Sequence, residues 1–136
     1  MEIDVQEFQE EGYQPIVDFM EWRVAVLKYC EELEIDQIFT MQKHVETDEV
    51  FVLLEGSCTL FTAGDSDGIR GIKAWEMEPL KTYNVKKGVW HTHTLAKNTS
   101  VLIVENRNTC DLNSPTIRLT KEEKMILKNI NTVEYD

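Results

Sequence analysis

The longest apolar run in this chain is the five-residue VFVLL at positions 50–54, and that brevity limits what the chain can build. A run this short, rich in β-branched and aromatic residues and closed by Gly56, suits a buried strand; a core helix needs ten or more residues. The pattern recurs along the chain. Residues 38–44, 58–62, 69–77, 82–85, 89–95 and 100–106 all read as strands, residues 19–30 (FMEWRVAVLKYC) fit a buried strand or a helix with the strand favoured by their Val content, and CEELE at 30–34 reads as a helical turn. Between them lie clusters of turn residues: Glu46-Thr47-Asp48, the loop GDSDG at 64–68, Lys86-Lys87-Gly88, and residues 96–99. Many short strands separated by Gly-rich turns predict an all-β antiparallel sandwich or barrel.

The two ends read differently. Residues 1–18 are acidic and broken at Gly12 and Pro15, so an N-terminal arm is expected, with at most a short strand around Ile16, packed on the edge of the domain. Near the other end, Thr120 followed by Glu123 forms a capping box. Ile126, Leu127 and Ile130 lie on one stripe after it, which predicts a C-terminal α-helix within residues 119–131 docked on the barrel. A chain of 136 residues is long enough for one domain with its own core, and a single domain is expected, its barrel spanning about residues 22–106.

A formal net charge of −11 argues against nucleic acid and membrane as partners, because both are bound mainly through Lys and Arg. The start MEIDVQEFQEEG has neither the basic residues nor the apolar segment of a secretory signal, so a cytoplasmic location is expected. Three cysteines, Cys30, Cys58 and Cys110, are odd in number, widely spaced and outside any CxxC pair. They read as reduced thiols rather than a disulfide framework or a structural zinc site.

The chemistry concentrates in MQKHVETDEVFVLLEG at 41–56 and VWHTHTL at 89–95. Gln42 and His44 share one face of a strand, whereas His44 and Glu49 would face opposite ways on an uninterrupted one. A turn at Glu46-Thr47-Asp48 would make a hairpin and bring His44 and Glu49 side by side on neighbouring strands. His91 and His93 likewise share a face and could look into one cavity.

Together the two stretches resemble the motifs of the cupin superfamily. Gln42-x-His44, Glu49 after four further residues and Gly56 after six more follow the spacing of its first motif, and Gly88 and His91 match its second. The resemblance implies a cupin-type antiparallel β-barrel, a jelly roll of the RmlC-like type. It also implies a divalent metal, Zn, Fe, Mn or Ni, held by His44, Glu49 and His91. The chain departs from the pattern at Gln42, where cupins carry the first His, at Lys86, where they carry Pro, and at Leu95, where they usually carry Asn. Gln42 then becomes a neutral oxygen donor to a ligand, and His93 a substitute imidazole. Two His and one carboxylate with open coordination positions suit a divalent transition ion.

The function implied is binding of a small polar organic molecule in the barrel, with Gln42, His93, Lys86 and Lys87 touching it. From Pro79 to Val104 there are four lysines and no acid, so the ligand is expected to be anionic, drawn by Lys86 and Lys87 at the pocket rim. As an enzyme, the protein would be a metal-dependent isomerase, lyase or oxygenase, with His93 or Glu46 as general acid or base. The alternative is a non-enzymatic ligand-binding barrel, or a structural one without metal. A homodimer is expected in either case.

Overall fold

Alternation within the short apolar segments sorts their side chains onto two faces, and the computed structural model, which describes residues 2–135, builds two five-stranded antiparallel sheets from them. The strands are β1 (Gly12–Phe19), β2 (Trp22–Lys28), β3 (Thr40–Gln42), β4 (Glu49–Glu55), β5 (Cys58–Thr62), β6 (Lys73–Glu76), β7 (Thr82–Val85), β8 (His91–Leu95), β9 (Ser100–Asn106) and β10 (Thr116–Arg118). One helix, α1 (Lys121–Asn129), follows them. The first sheet has the order β1-β2-β9-β4-β7 and the second β10-β3-β8-β5-β6. From β2 onward the chain passes back and forth between the sheets, and the result is a jelly roll.

Between the sheets the inward residues form the main core. Phe51 and Leu53 of β4, Val101 and Ile103 of β9, Ala25 and Leu27 of β2, and Cys58 and Leu60 of β5 are all buried there. Full burial of Phe51 alone contributes about 3 kcal/mol. A second apolar layer lies under α1, where Leu127 and Leu119 pack with Met41, Phe61, Ala74 and Trp90. The helix begins as its sequence requires: the Glu123 amide donates to Thr120 Oγ1, and the Thr120 amide donates to the Glu123 carboxylate. Leu127 and Ile130 face the core, but Ile126 stays 44% exposed on the flank, so it is not part of the buried stripe.

Two expectations about local structure are corrected. Residues 12–19 are not a loose arm: β1 is an eight-residue strand paired along β2, at the edge of the first sheet, with a register shift between Pro15 and Val17. Proline lacks an amide donor, and an edge strand with a bulge is where it is tolerated. The second correction concerns residues 38–55, which do not form a hairpin. β3 pairs with β8 and β10 while β4 pairs with β7 and β9, so residues 43–48 cross from one sheet to the other. β3 and β6 are also shorter than the sequence suggests, and CEELE supplies a 3-10 turn at Glu31–Leu33.

Gly56 makes the tight link from β4 to β5. Its φ of 84° lies in the left-handed region, and a Cβ there would sit 2.6 Å from Thr99 Cα. Only glycine satisfies both conditions without displacement. Among the described residues no helix is long and apolar enough to cross a membrane.

Candidate metal centre

His44, Glu49 and His91 reach one point from three places in the fold. Glu49 opens β4 with the same inward parity as Phe51 and Leu53, and His91 opens β8 in register with Gln42 of β3. His44 lies just after β3, on the segment that crosses between the sheets. All three are buried, and one ligand atom from each lies within 4.8 Å of the others. His44 Nε2 is 2.9 Å and His91 Nε2 3.0 Å from the same oxygen, Glu49 Oε1. The two imidazole centroids stand 5.1 Å apart.

The remaining ring nitrogens decide what this arrangement can hold. His91 Nδ1 lies 3.0 Å from the Val89 carbonyl, an acceptor only, so Nδ1 carries a proton. His44 Nδ1 lies 2.7 Å from Ser114 Oγ. Ser114 directs its own hydroxyl proton to Asn113 Oδ1 and therefore accepts from His44. With both Nδ1 atoms protonated, each neutral imidazole turns an Nε2 lone pair toward Glu49 Oε1. A lone pair cannot bond to a carboxylate oxygen, so a cation belongs among these atoms, either a proton on each ring or one metal ion. The donor set, two imidazole nitrogens and one carboxylate, each nitrogen backed by a hydrogen bond on its far side, fits a divalent transition metal. Burial opposes ionisation of Glu49, but with a proton on each Nε2 the hydrogen bonds from His44 and His91 outweigh it and hold the carboxyl well below the usual range.

The cavity around this cluster measures about 430 Å³ and is also lined by Gln42, His93, Tyr13, Arg23 and Glu105. Gln42 shares the cavity with His44, as expected, although His44 lies beyond the end of β3. His93 packs against Phe51 with centroids 5.7 Å apart, and its Nδ1 is sealed from solvent without a hydrogen-bond partner. Burial pushes His93 down to about 4, against the opposite pull of the Glu49 charge.

Lys86 and Lys87 lie elsewhere. Lys86 Nζ pairs with Asp48 at 3.2 Å, and the Lys87 amide donates to Asp48 at 2.7 Å, so the two lysines brace the crossing segment and neither lines this cavity. Glu46 also faces away, its carboxylate accepting from Asn108 and its carbonyl from Asn106. Cys58 is an inert core thiol, raised to about 12 by burial.

Glu105 is the residue that sequence reading missed. It is buried, shares the inward parity of Val101 and Ile103 on β9, and comes beside Glu49 because Phe51 pairs with Ile103 two residues away. Tyr13 Oη donates to Glu105 Oε2 at 2.7 Å, and Arg23 Nη1 lies 3.9 Å from the same oxygen. Burial first, then the hydrogen bond and charge of Glu49, push the Glu105 carboxyl up to about 8. The parity of SVLIVEN was the available signal; the pairing of β9 with β4 was not. Tyr13 was hidden by reading its segment as an arm, and Ser114 by lying beyond the last expected strand.

Neither a protein-family model nor a curated protein sequence matches the chain. Solved structures do. A cupin-2 domain containing protein from Shewanella frigidimarina is 22% identical at a TM-score of 0.51, over 74% of this chain and 85% of that one. The Streptomyces nucleoside dehydratase Pac13 is 10% identical at a TM-score of 0.55, over 86% of this chain and 88% of that one. Hydroquinone 1,2-dioxygenase from Sphingomonas, solved with 4-hydroxybenzoate bound, is 9% identical at a TM-score of 0.56, over 74% and 69%. At such identities the likeness speaks for the fold alone, and with the two-sheet topology it shows that this chain has the cupin fold, an antiparallel jelly-roll barrel closed by a C-terminal helix.

Proposed function

We propose that the protein binds a small polar organic molecule in the 430 Å³ cavity through a divalent transition metal held by His44, Glu49 and His91, and acts on it as a metal-dependent isomerase or lyase. The observation that carries this reading is the pair of Nε2 atoms aimed at one Glu49 oxygen, each with its Nδ1 proton already engaged. When bound, the ion would supply Lewis-acid polarisation of a substrate oxygen. One carboxylate leaves a divalent ion a net charge of about +1, which favours a substrate with an anionic oxygen at the ion.

Proton transfer falls to the chain's own groups. The Glu105 carboxyl, oriented by Tyr13 beside Glu49, is placed to carry a proton to or from a molecule in the cavity. The half-buried His93 ring and Gln42, both in the cavity wall, would supply polar contacts that orient it. Elemental analysis of purified wild type and His91→Ala, with mass spectrometry of whatever co-purifies, tests the proposal. Wild type should retain a transition metal and the variant should not; equal metal content in the two would defeat it.

The same reading includes a homodimer formed through the outer face of the first sheet. Cross-strand rows there run Val17–Val24–Val104–Val50 and Val26–Leu102–Val52 without a charged residue, flanked by Phe19 and Trp22 at 57% and 44% exposure. The outer face of the second sheet is covered by α1, and among the described residues no helix covers this one. A self-complementary apolar patch of this kind suits a two-fold interface.

A further inference from the structure

A second groove, about 610 Å³, opens between the outermost strands of the two sheets, where β7 ends one and β6 the other, and it shares no lining residue with the His–Glu–His cavity. The pairs Leu60–Trp75 and Thr62–Lys73 put these four side chains on one face, and Leu60 belongs to the inner core, so Trp75 and Lys73 are directed into the groove. Arg70, from the loop before β6, and Lys86 also line it. No acid among the described residues does, in a chain whose net charge is −11. Lys86 is paired with Asp48, whereas Arg70 and Lys73 form no ion pair among the described residues.

The apolar part of the groove is aromatic and held in place. Trp75 Nε1 donates to Thr62 Oγ1 at 2.9 Å, and the Tyr83 hydroxyl accepts from the Glu78 amide at 2.9 Å. Tyr135 completes the frame, 6.1 Å from Trp75 and 5.8 Å from Tyr83 at an interplanar angle of 89°, with its hydroxyl donating to the Glu76 carbonyl. Its segment is tied to the β6 edge by the Val133 amide on the Ala74 carbonyl. Fixed rings offer a flat ligand stacking and edge contacts at little ordering cost, and a guanidinium beside an ammonium offers charge-assisted hydrogen bonds to a carboxylate.

We propose that this groove is a second binding site, for a planar aromatic carboxylate whose ring lies against Trp75, Tyr83 and Tyr135 and whose carboxylate meets Lys73 and Arg70. The competing role for Lys73 is protection of an edge strand by an inward-pointing charge, which requires no ligand. The site stands independently of the metal centre, so the test uses full-length protein stripped with chelator. 2-Naphthoate, its neutral amide and cyclohexanecarboxylate are titrated while backbone amide resonances are followed by NMR. Expected are saturable shifts centred on Trp75, Tyr83 and Lys73 with naphthoate, binding at least about tenfold weaker for both analogues, and a loss of about tenfold in the double variant Arg70→Gln with Lys73→Gln. Equal binding of amide and acid, shifts centred on His91 and Glu49, an unaffected double variant, or no saturation by about 10 mM would each overturn it.

Discussion

Removing and restoring the metal should change the stability of the fold by an amount that can be worked out. An ion that binds only the native state stabilises it by RT ln(1 + [L]/Kd), about 2.7 kcal/mol when free metal is 100 times Kd. Unfolding entropy of about 2.1 cal/mol/K per residue is about 0.29 kcal/mol/K for this chain, so stripped protein should gain about 9 °C in Tm under that condition. Replacing His91 by Ala removes one of three donors and, at a loss of about 100-fold in affinity, reduces the gain to about 1 °C at the same metal concentration. Ser114→Ala leaves all three donors in place but frees the His44 ring on its Nδ1 side. A 10- to 100-fold weakening there leaves a gain between about 1 and 5 °C. Differential scanning calorimetry of stripped and reloaded protein, compared within each variant, cancels whatever the substitution does to the metal-free fold. Equal gains in wild type and His91→Ala, or no gain with any of Mn, Fe, Ni or Zn, would refute the assignment of these residues as ligands.

Three further outcomes follow from the geometry. His93 has a folded-state pKa of about 4 against an ordinary 6.5, so the unfolded chain takes up its proton first and this ring alone costs about 3 kcal/mol of stability as pH falls from about 6.5 to 4; the Glu105 carboxyl, raised to about 8, acts in the opposite sense over the same range in any variant that keeps it, so denaturant titrations should show the His93 effect as a difference in slope between stripped wild type and His93→Phe, and parallel slopes would count against it. Gly56→Ala should cost at least about 2 kcal/mol in urea unfolding, because it combines a φ of 84° with a Cβ 2.7 Å from Thr99 Cβ; a loss below about 1 kcal/mol would show that the turn relaxes freely. Light scattering should give about twice the 15.8 kDa chain mass for wild type and a single chain mass for Val24→Glu with Val104→Glu, and a wild-type monomer at high concentration would remove the dimer interface.

Local chemistry in the sequence determined a good deal. Period-2 alternation with Gly, Asn and Asp turns is enough to place β5 and β9 at their observed bounds and to locate β7 and β8, and the Thr120–Glu123 box is enough to start α1. The resemblance of two stretches to the cupin motifs also singled out His44, Glu49 and His91, whose ligand atoms the fold brings within 4.8 Å of one another. The route by which they meet was not legible. A hairpin joining His44 to Glu49 is the economical local solution, but β4 gains more by pairing with β9, a partner about fifty residues away, and that choice depends on burying Phe51 and Leu53 against the inner face of both sheets. That pairing also sets Glu105 beside Glu49, β1 brings Tyr13 over Glu105 from the edge of the same sheet, and the pairing of β10 with β3 folds Ser114 back onto His44, none of which any local pattern encodes. Charge patterning failed for a related reason. The run of lysines in residues 79–104 is real, yet whether a lysine serves a pocket depends on what faces it across space, and Asp48 from the crossing segment engages Lys86 and the Lys87 backbone away from the metal centre. Periodicity and turn chemistry act within a few residues of each other and can be read along the chain; pairing across a jelly roll is decided only when both sheets close on one core.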